Sequence, residues 1–127
     1  MSRNDLLKYA LIVFGVIFLL VYPLAIVWPS GWAWHAGAPY ESDYFMMIVG
    51  VYATLGVFLI LASRNPAANR SLILFTAVSS LVHAAIMAVQ AIQMPEHMGH
   101  LYGDVAGLIG VAVVLFLLRP PAQTATG

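Results

Sequence analysis

The uncharged stretches of this chain constrain it more than anything else. From Tyr9 to Trp34 there is no Asp, Glu, Lys or Arg, and three further apolar runs follow, at about Tyr44 to Ala62, Ser71 to Met94 and Met98 to Leu118. A helix rising 1.5 Å per residue needs about 20 apolar residues to cross the ~30 Å hydrocarbon core of a bilayer. Each run, taken as a helix, also satisfies its own backbone polar groups, which lipid cannot do for it. Of the 127 residues only 8% are charged and 62% are hydrophobic, where soluble domains average roughly 25% charged. A soluble domain of this size would leave about a third of its surface to be covered by polar side chains, and too few are present. The expected class is therefore all-α, a four-span transmembrane antiparallel helix bundle. It forms one domain over residues 1–121, with spans at about 6–27, 44–62, 71–94 and 98–118 and a short disordered tail at 122–127.

The first run exceeds the roughly 7–15 residues of a cleavable signal core, so it reads as a retained span. Pro23 lies near its far end. The stretch from Trp28 to Pro39 holds prolines, glycines and three tryptophans and cannot prolong a helix. Trp28, Trp32 and Trp34 suit the headgroup layer as interfacial anchors, with an aromatic lid or binding loop as the alternative. All five basic residues, Arg3, Lys8, Arg64, Arg70 and Arg119, fall on one side of the four-span arrangement. Basic loops stay inside, which places both termini in the cytoplasm and the Trp-rich and Pro95 turns outside. Glu41, Asp43, Glu96 and Asp104 fall on the outer half.

Formal net charge is +0, and without a basic patch a nucleic-acid partner is excluded. With no cysteine, disulfides, thiolate chemistry and Cys-based zinc or iron–sulfur sites are excluded too. No nucleophile elbow, phosphate-cradling glycine loop or paired carboxylate stands out, so hydrolase or transferase chemistry lacks a carrier.

Ionisable and amide side chains within a span usually pair or line a path, which singles out His83, Gln90, His100 and Asp104. At ~100° per residue, Thr76, Ser79, Ser80, His83, Met87, Gln90 and Met94 share one face of the third span. His97, His100, Asp104, Gly107 and Val111 share one face of the fourth. Heights counted from the inner boundary put His83 at about 16 Å, Asp104 at about 21 Å, and Gln90 and His100 near 27 Å. Two rungs between the third and fourth spans are expected, His83 with Asp104 and Gln90 with His100. Gly103, Gly107 and Gly110 form a close-packing ridge beside them.

These features point to a non-catalytic accessory or scaffolding subunit, docked through the glycine ridge to other membrane subunits or to copies of itself within the lipid bilayer. One alternative is a redox protein holding copper, zinc or haem. His97, His100, Asp104 and Met94 would then be metal ligands, since imidazole, thioether and carboxylate suit these ions. A single haem could not take both His83 and His100, which differ by about 11 Å in height. The other alternative is a proton-coupled small transporter in which Asp104 and His83 exchange protons.

At Trp28-Pro-Ser-Gly-Trp-Ala-Trp-His, Met47-Ile-Val-Gly-Val-Tyr-Ala-Thr-Leu-Gly-Val-Phe-Leu, Val82-His-Ala-Ala-Ile-Met-Ala-Val-Gln and Gly99-His-Leu-Tyr-Gly-Asp-Val, the chain resembles a family of short bacterial four-helix membrane proteins of unknown function. The resemblance covers about Leu20 to Leu118. It implies a bacterial inner-membrane location and four spans, and brings no activity, substrate or cofactor with it.

Overall fold

A computed structural model describes residues 1–33 and 37–122, and among them the chain is all-α, with no strand. Six α-helices follow one another, α1 (Arg3–Leu19), α2 (Val21–Val27), α3 (Pro29–Trp32), α4 (Asp43–Ala62), α5 (Arg70–Gln93) and α6 (Asp104–Leu118), with short 3-10 segments at Pro39–Glu41, Pro66–Asn69 and Pro95–Leu101. Three segments, Asp43–Ala62, Pro66–Gln93 and Pro95–Leu118, are long and apolar enough to cross a membrane, and α1 with α2 makes a fourth if a 60° bend is allowed within one span. Trp34 and most of the 122–127 tail lie outside the described residues.

The first apolar run is not one straight helix. α1 ends at Leu19 and α2 leaves it at 60°. Pro23 is the cause: it has no N–H to give the Leu19 carbonyl, and its ring would strike that carbonyl in an unbroken helix. Within the first turn of α2, where no such bond is needed, the proline is harmless. The start of α1 is fixed by a capping box, Ser2 Oγ accepting from the Asp5 N–H at 3.1 Å while Asp5 returns a bond to the Ser2 N–H. Ser42 caps α4 by a single bond, its Oγ accepting from the Phe45 N–H.

The fourth run also departs from expectation. Its α-helix starts only at Asp104, and Pro95–Leu101 before it is a 3-10 coil. At ~2.0 Å per residue this coil adds roughly 14 Å to the ~22 Å of α6. Together they match the ~36 Å length of α5, alongside which they pack.

Two helix pairs make the bundle, α1 with α4 and α5 with α6, joined where α1 meets α6. α5 and α6 run antiparallel, since Arg70 at the start of α5 donates to the Pro120 carbonyl just past α6. Arg3 at the start of α1 reaches the Leu117 carbonyl at 2.6 Å, so the two ends of the chain meet at one end of the bundle. α1 and α4 cross at Gly15 and Gly56. A Cβ on Gly15 would lie 2.7 Å from the Gly56 carbonyl oxygen, and one on Gly56 would lie 2.5 Å from that of Gly15. The core between the pairs is built on Leu11, Phe18, Leu59, Ile73, Leu108 and Leu115.

Candidate functional site

α5 buries Ile73, Thr76, Ala77, Ser80, Ala84, Met87 and Ala91. This stripe is rotated away from the expected polar face toward the small residues, because Ala77, Ala84 and Ala91 let the α6 backbone come close. Gln90 and Met94 are exposed, and His83 lies at the edge of the buried stripe. The polar line of α5 therefore looks toward α4, and not squarely at α6.

α4 and α5 stand apart along their length, and the gap between them is a cavity of about 530 Å³. Its walls come from all four long helices, including Phe14 and Phe18 of α1, Phe45 and Tyr52 of α4, His83 of α5 and Leu108 of α6. Tyr44, Ile48 and Gln90 also line it yet are exposed, which marks its mouth as the α4/α5 seam. None of the described side chains around it is Lys or Arg, and Asp104 is the carboxylate among them.

One polar contact crosses the seam. The Tyr52 hydroxyl is hydrogen-bonded to His83 Nδ1, and the Tyr52 ring is held edge-on by Phe18 at 5.0 Å between centroids. A tyrosine hydroxyl in an apolar helix needs such a partner, which is the signal the sequence carries for this contact. His83 Nε2 has no hydrogen-bond partner among the described residues.

The second contact closes the top of α6. His100, 1% exposed, puts Nδ1 at 3.1 and 3.2 Å from the two Asp104 carboxyl oxygens and Nε2 at 2.8 Å from the Ala33 carbonyl oxygen. Both neighbours are acceptors in their usual forms.

The expected rungs are thus rearranged. His83 bonds across to α4, although it shares the cavity with Asp104. His100 bonds to Asp104 on its own limb and to the α3 side, and the Gln90 side chain makes no hydrogen bond among the described residues. The proposed metal ligands do not converge: Met94 is 44% exposed, His97 stacks obliquely on His100 at 5.6 Å between centroids, and among the described residues no three His, Asp or Glu side chains group closely enough to hold a metal.

The glycine ridge is used unevenly. Gly103 is buried against Gly31, whose Cα would lie 2.6 Å from an added Cβ. Gly107 lies under the Trp32 indole, 3.6 Å from Cη2 to such a Cβ, while around Gly110 there is open space. Of the tryptophans read as anchors, Trp28 is exposed, whereas Trp32 lines the cavity. Its Nε1 is buried and has no hydrogen-bond partner among the described residues.

The model of a family of unknown function (DUF6632) matches residues 1–125. No curated protein matches the chain, and no solved structure does.

Proposed function

The chain belongs to this family of unknown function, and since membership carries no activity, we propose from the geometry that it is a membrane protein that holds a small apolar-bodied molecule between its helices. The observation that carries this reading is the cavity of about 530 Å³. That is within the roughly 300–1,000 Å³ of small-molecule sites, which pair apolar walls with a few convergent polar groups. Tyr52, His83, Gln90 and Asp104 are those groups here.

In this reading the chain crosses a bacterial inner membrane four times with both termini in the cytoplasm. The apolar lengths of the helices and the gathering of Arg3, Arg70 and Arg119 around the end of α6 support it. The α4/α5 seam then opens sideways into lipid, so the molecule enters from the bilayer. The expectation of an accessory or scaffolding subunit loses weight, because its docking ridge is partly spent inside the molecule at Gly103. One observation favours a second reading, proton-coupled movement of the same molecule: Asp104, hydrogen-bonded to His100, lines the cavity.

Protein extracted under mild conditions and sprayed intact into a mass spectrometer should carry one small molecule distinct from bulk phospholipid. Ile48→Trp, which fills the mouth without touching the buried core, should lose it while helix content and melting stay unchanged. A native protein that carries only bulk lipid, indistinguishable from the variant, would sink the binding reading.

A further inference from the structure

The cavity wall carries an unspent hydrogen-bond donor at one level and an unspent amide at another. The Tyr52 hydroxyl and His83 Nδ1 are bonded to each other, and neither the hydroxyl nor Nε2 has a further hydrogen-bond partner among the described residues. A phenol and a neutral imidazole bring two polar hydrogens between them, and their mutual bond uses one. Whichever tautomer His83 adopts, the pair keeps a hydrogen to give. The cheaper arrangement has Tyr52 donating to Nδ1, since the reverse strands both the phenol O–H and a bare Nε2. The spare donor is then Nε2–H. His83 is half-buried and lines the cavity, and its Nε2 is not shut away as Trp32 Nε1 is. Of the other polar groups on the wall, Ser42 caps α4 and Asp104 is bonded to His100.

Gln90 is the second group. Its side chain is exposed at the mouth and makes no hydrogen bond among the described residues. Seven residues from His83, it falls within ~20° of the same line on α5 and about 10.5 Å nearer the Pro95 end. Met87, buried between them, floors the space. On α4, which runs the other way, seven residues from Tyr52 toward that end is Phe45, so a phenyl ring stands in the opposite wall at the level of Gln90.

We infer, building on the ligand-binding reading above, that His83 and Gln90 hold the two ends of a quinone: an uncharged ring with a carbonyl oxygen on each of two opposite edges and an apolar tail. The two side chains have similar reach and both lean toward the start of α5, so the step between their tips is roughly that between their backbones. Two hydrogen bonds of ~2.9 Å take up about 6 Å of the ~10.5 Å step, and the ~5 Å left suits one six-membered ring with its two oxygens. One carbonyl accepts from His83 Nε2–H at the inner end, the other from the Gln90 amide at the mouth, and the tail leaves through the seam into lipid. An anion is disfavoured, because Asp104 and no Lys or Arg stands among the described wall residues and an unpaired charge in apolar surroundings is costly. A cation could use Asp104 and the aromatic walls, yet it would leave the His83 donor unspent. A hydrocarbon would leave both groups unspent, and a single carbonyl satisfies only one.

Four probes in lipid nanodiscs separate these cases: decyl-benzoquinone with two carbonyls, decyl phenyl ketone with one, decylbenzene with none, and decyltrimethylammonium. The readouts are affinity and the side-chain amide resonances of Gln90 in the unmodified protein, assigned through their loss in Gln90→Leu. The ketone should bind about tenfold tighter than decylbenzene and the quinone about tenfold tighter again, one hydrogen bond at each step. The quinone should also move the Gln90 resonances downfield. Gln90→Leu, at an exposed position, should lower the quinone to the ketone level and leave decylbenzene as it was. His83→Phe should weaken the quinone by the same factor from the inner end. Should His83→Phe not fold, Gln90→Leu and the Gln90 resonances decide alone. Equal binding of quinone and ketone with unmoved Gln90 resonances overturns the inference and leaves the cavity reading intact, as does equal binding of all three ring probes. Tightest binding of decyltrimethylammonium overturns it in favour of a cation beside Asp104. No binding of any probe overturns both readings.

Discussion

His100 lies between a carboxyl group and a carbonyl, so its ring ties Asp104 at the start of α6 to the Ala33 carbonyl. Asn at position 104 can keep this tie: its amide donates to a neutral Nδ1 and leaves Nε2–H on the Ala33 carbonyl. Asp104→Asn should therefore fold with a loss of about 0.6 kcal/mol or less, the mean for polar contacts between membrane helices. His100→Leu strands two acceptors and should lose about 1–3 kcal/mol, read as the denaturant needed to unfold each variant in micelles. Equal losses would contradict His100 as the bridge between Asp104 and Ala33. Under the second reading, Asp104→Asn also abolishes any proton-coupled movement while binding persists. The identities of these residues were legible in the sequence, because few polar groups occur in such apolar runs. Their partners were not: counting an α-helical period and rise through residues 95–101 ignores a 3-10 coil that turns faster and rises further per residue.

At the scale of the helix, close approach is set by glycine where two backbones touch, and sequence spacing alone does not say which glycines those are. Spacing picks out Gly103, Gly107 and Gly110, but the long helices α1 and α4 cross at Gly15 on Gly56, two glycines 41 positions apart. No pattern within either helix announces that meeting, since it depends on how α1 and α4 are paired. The bend at Pro23 was legible in principle, as a proline four residues after Leu19 cannot leave the helix intact. Gly56→Val would drive its side chain into the Gly15 carbonyl and Leu19, whose Cγ would already be 3.3 Å from a Cβ. Overpacking of this kind costs about 1–3 kcal/mol, and backbone atoms cannot step aside as a side-chain tip would. Gly110→Val, with nothing within 4 Å of its Cβ, should change stability by less than about 0.5 kcal/mol. Similar losses for the two variants in a side-by-side unfolding titration would refute the α1/α4 crossing.

For the whole molecule, the charge distribution and the helix packing answer the same question from two directions. Carbonyls at the end of α6 have no partner of their own. Arg3 donates to Leu117 at 2.6 Å, Arg119 donates to Phe116 at 2.5 Å with its guanidinium 4.2 Å from the Phe116 ring centre, and Arg70 takes the Pro120 carbonyl at 2.9 Å. These cations sit where the helix dipole favours them, so the end of the bundle that holds both termini is also its basic end. The opposite end carries Glu41, Asp43 and Glu96 and no Lys or Arg. Asymmetry this complete should give a single orientation in the membrane, with the basic end kept in the cytoplasm. The chain has no cysteine, so single cysteines at Asn4, Asn65, Tyr40 and Glu96 report without background. In intact cells a membrane-impermeant maleimide should label the Tyr40 and Glu96 positions, and reach Asn4 and Asn65 only after the membrane is opened. Labelling of all four in intact cells would mean insertion in both orientations, and Asn4 on the same side as Tyr40 would mean that the bent pair α1 and α2 turns back without crossing.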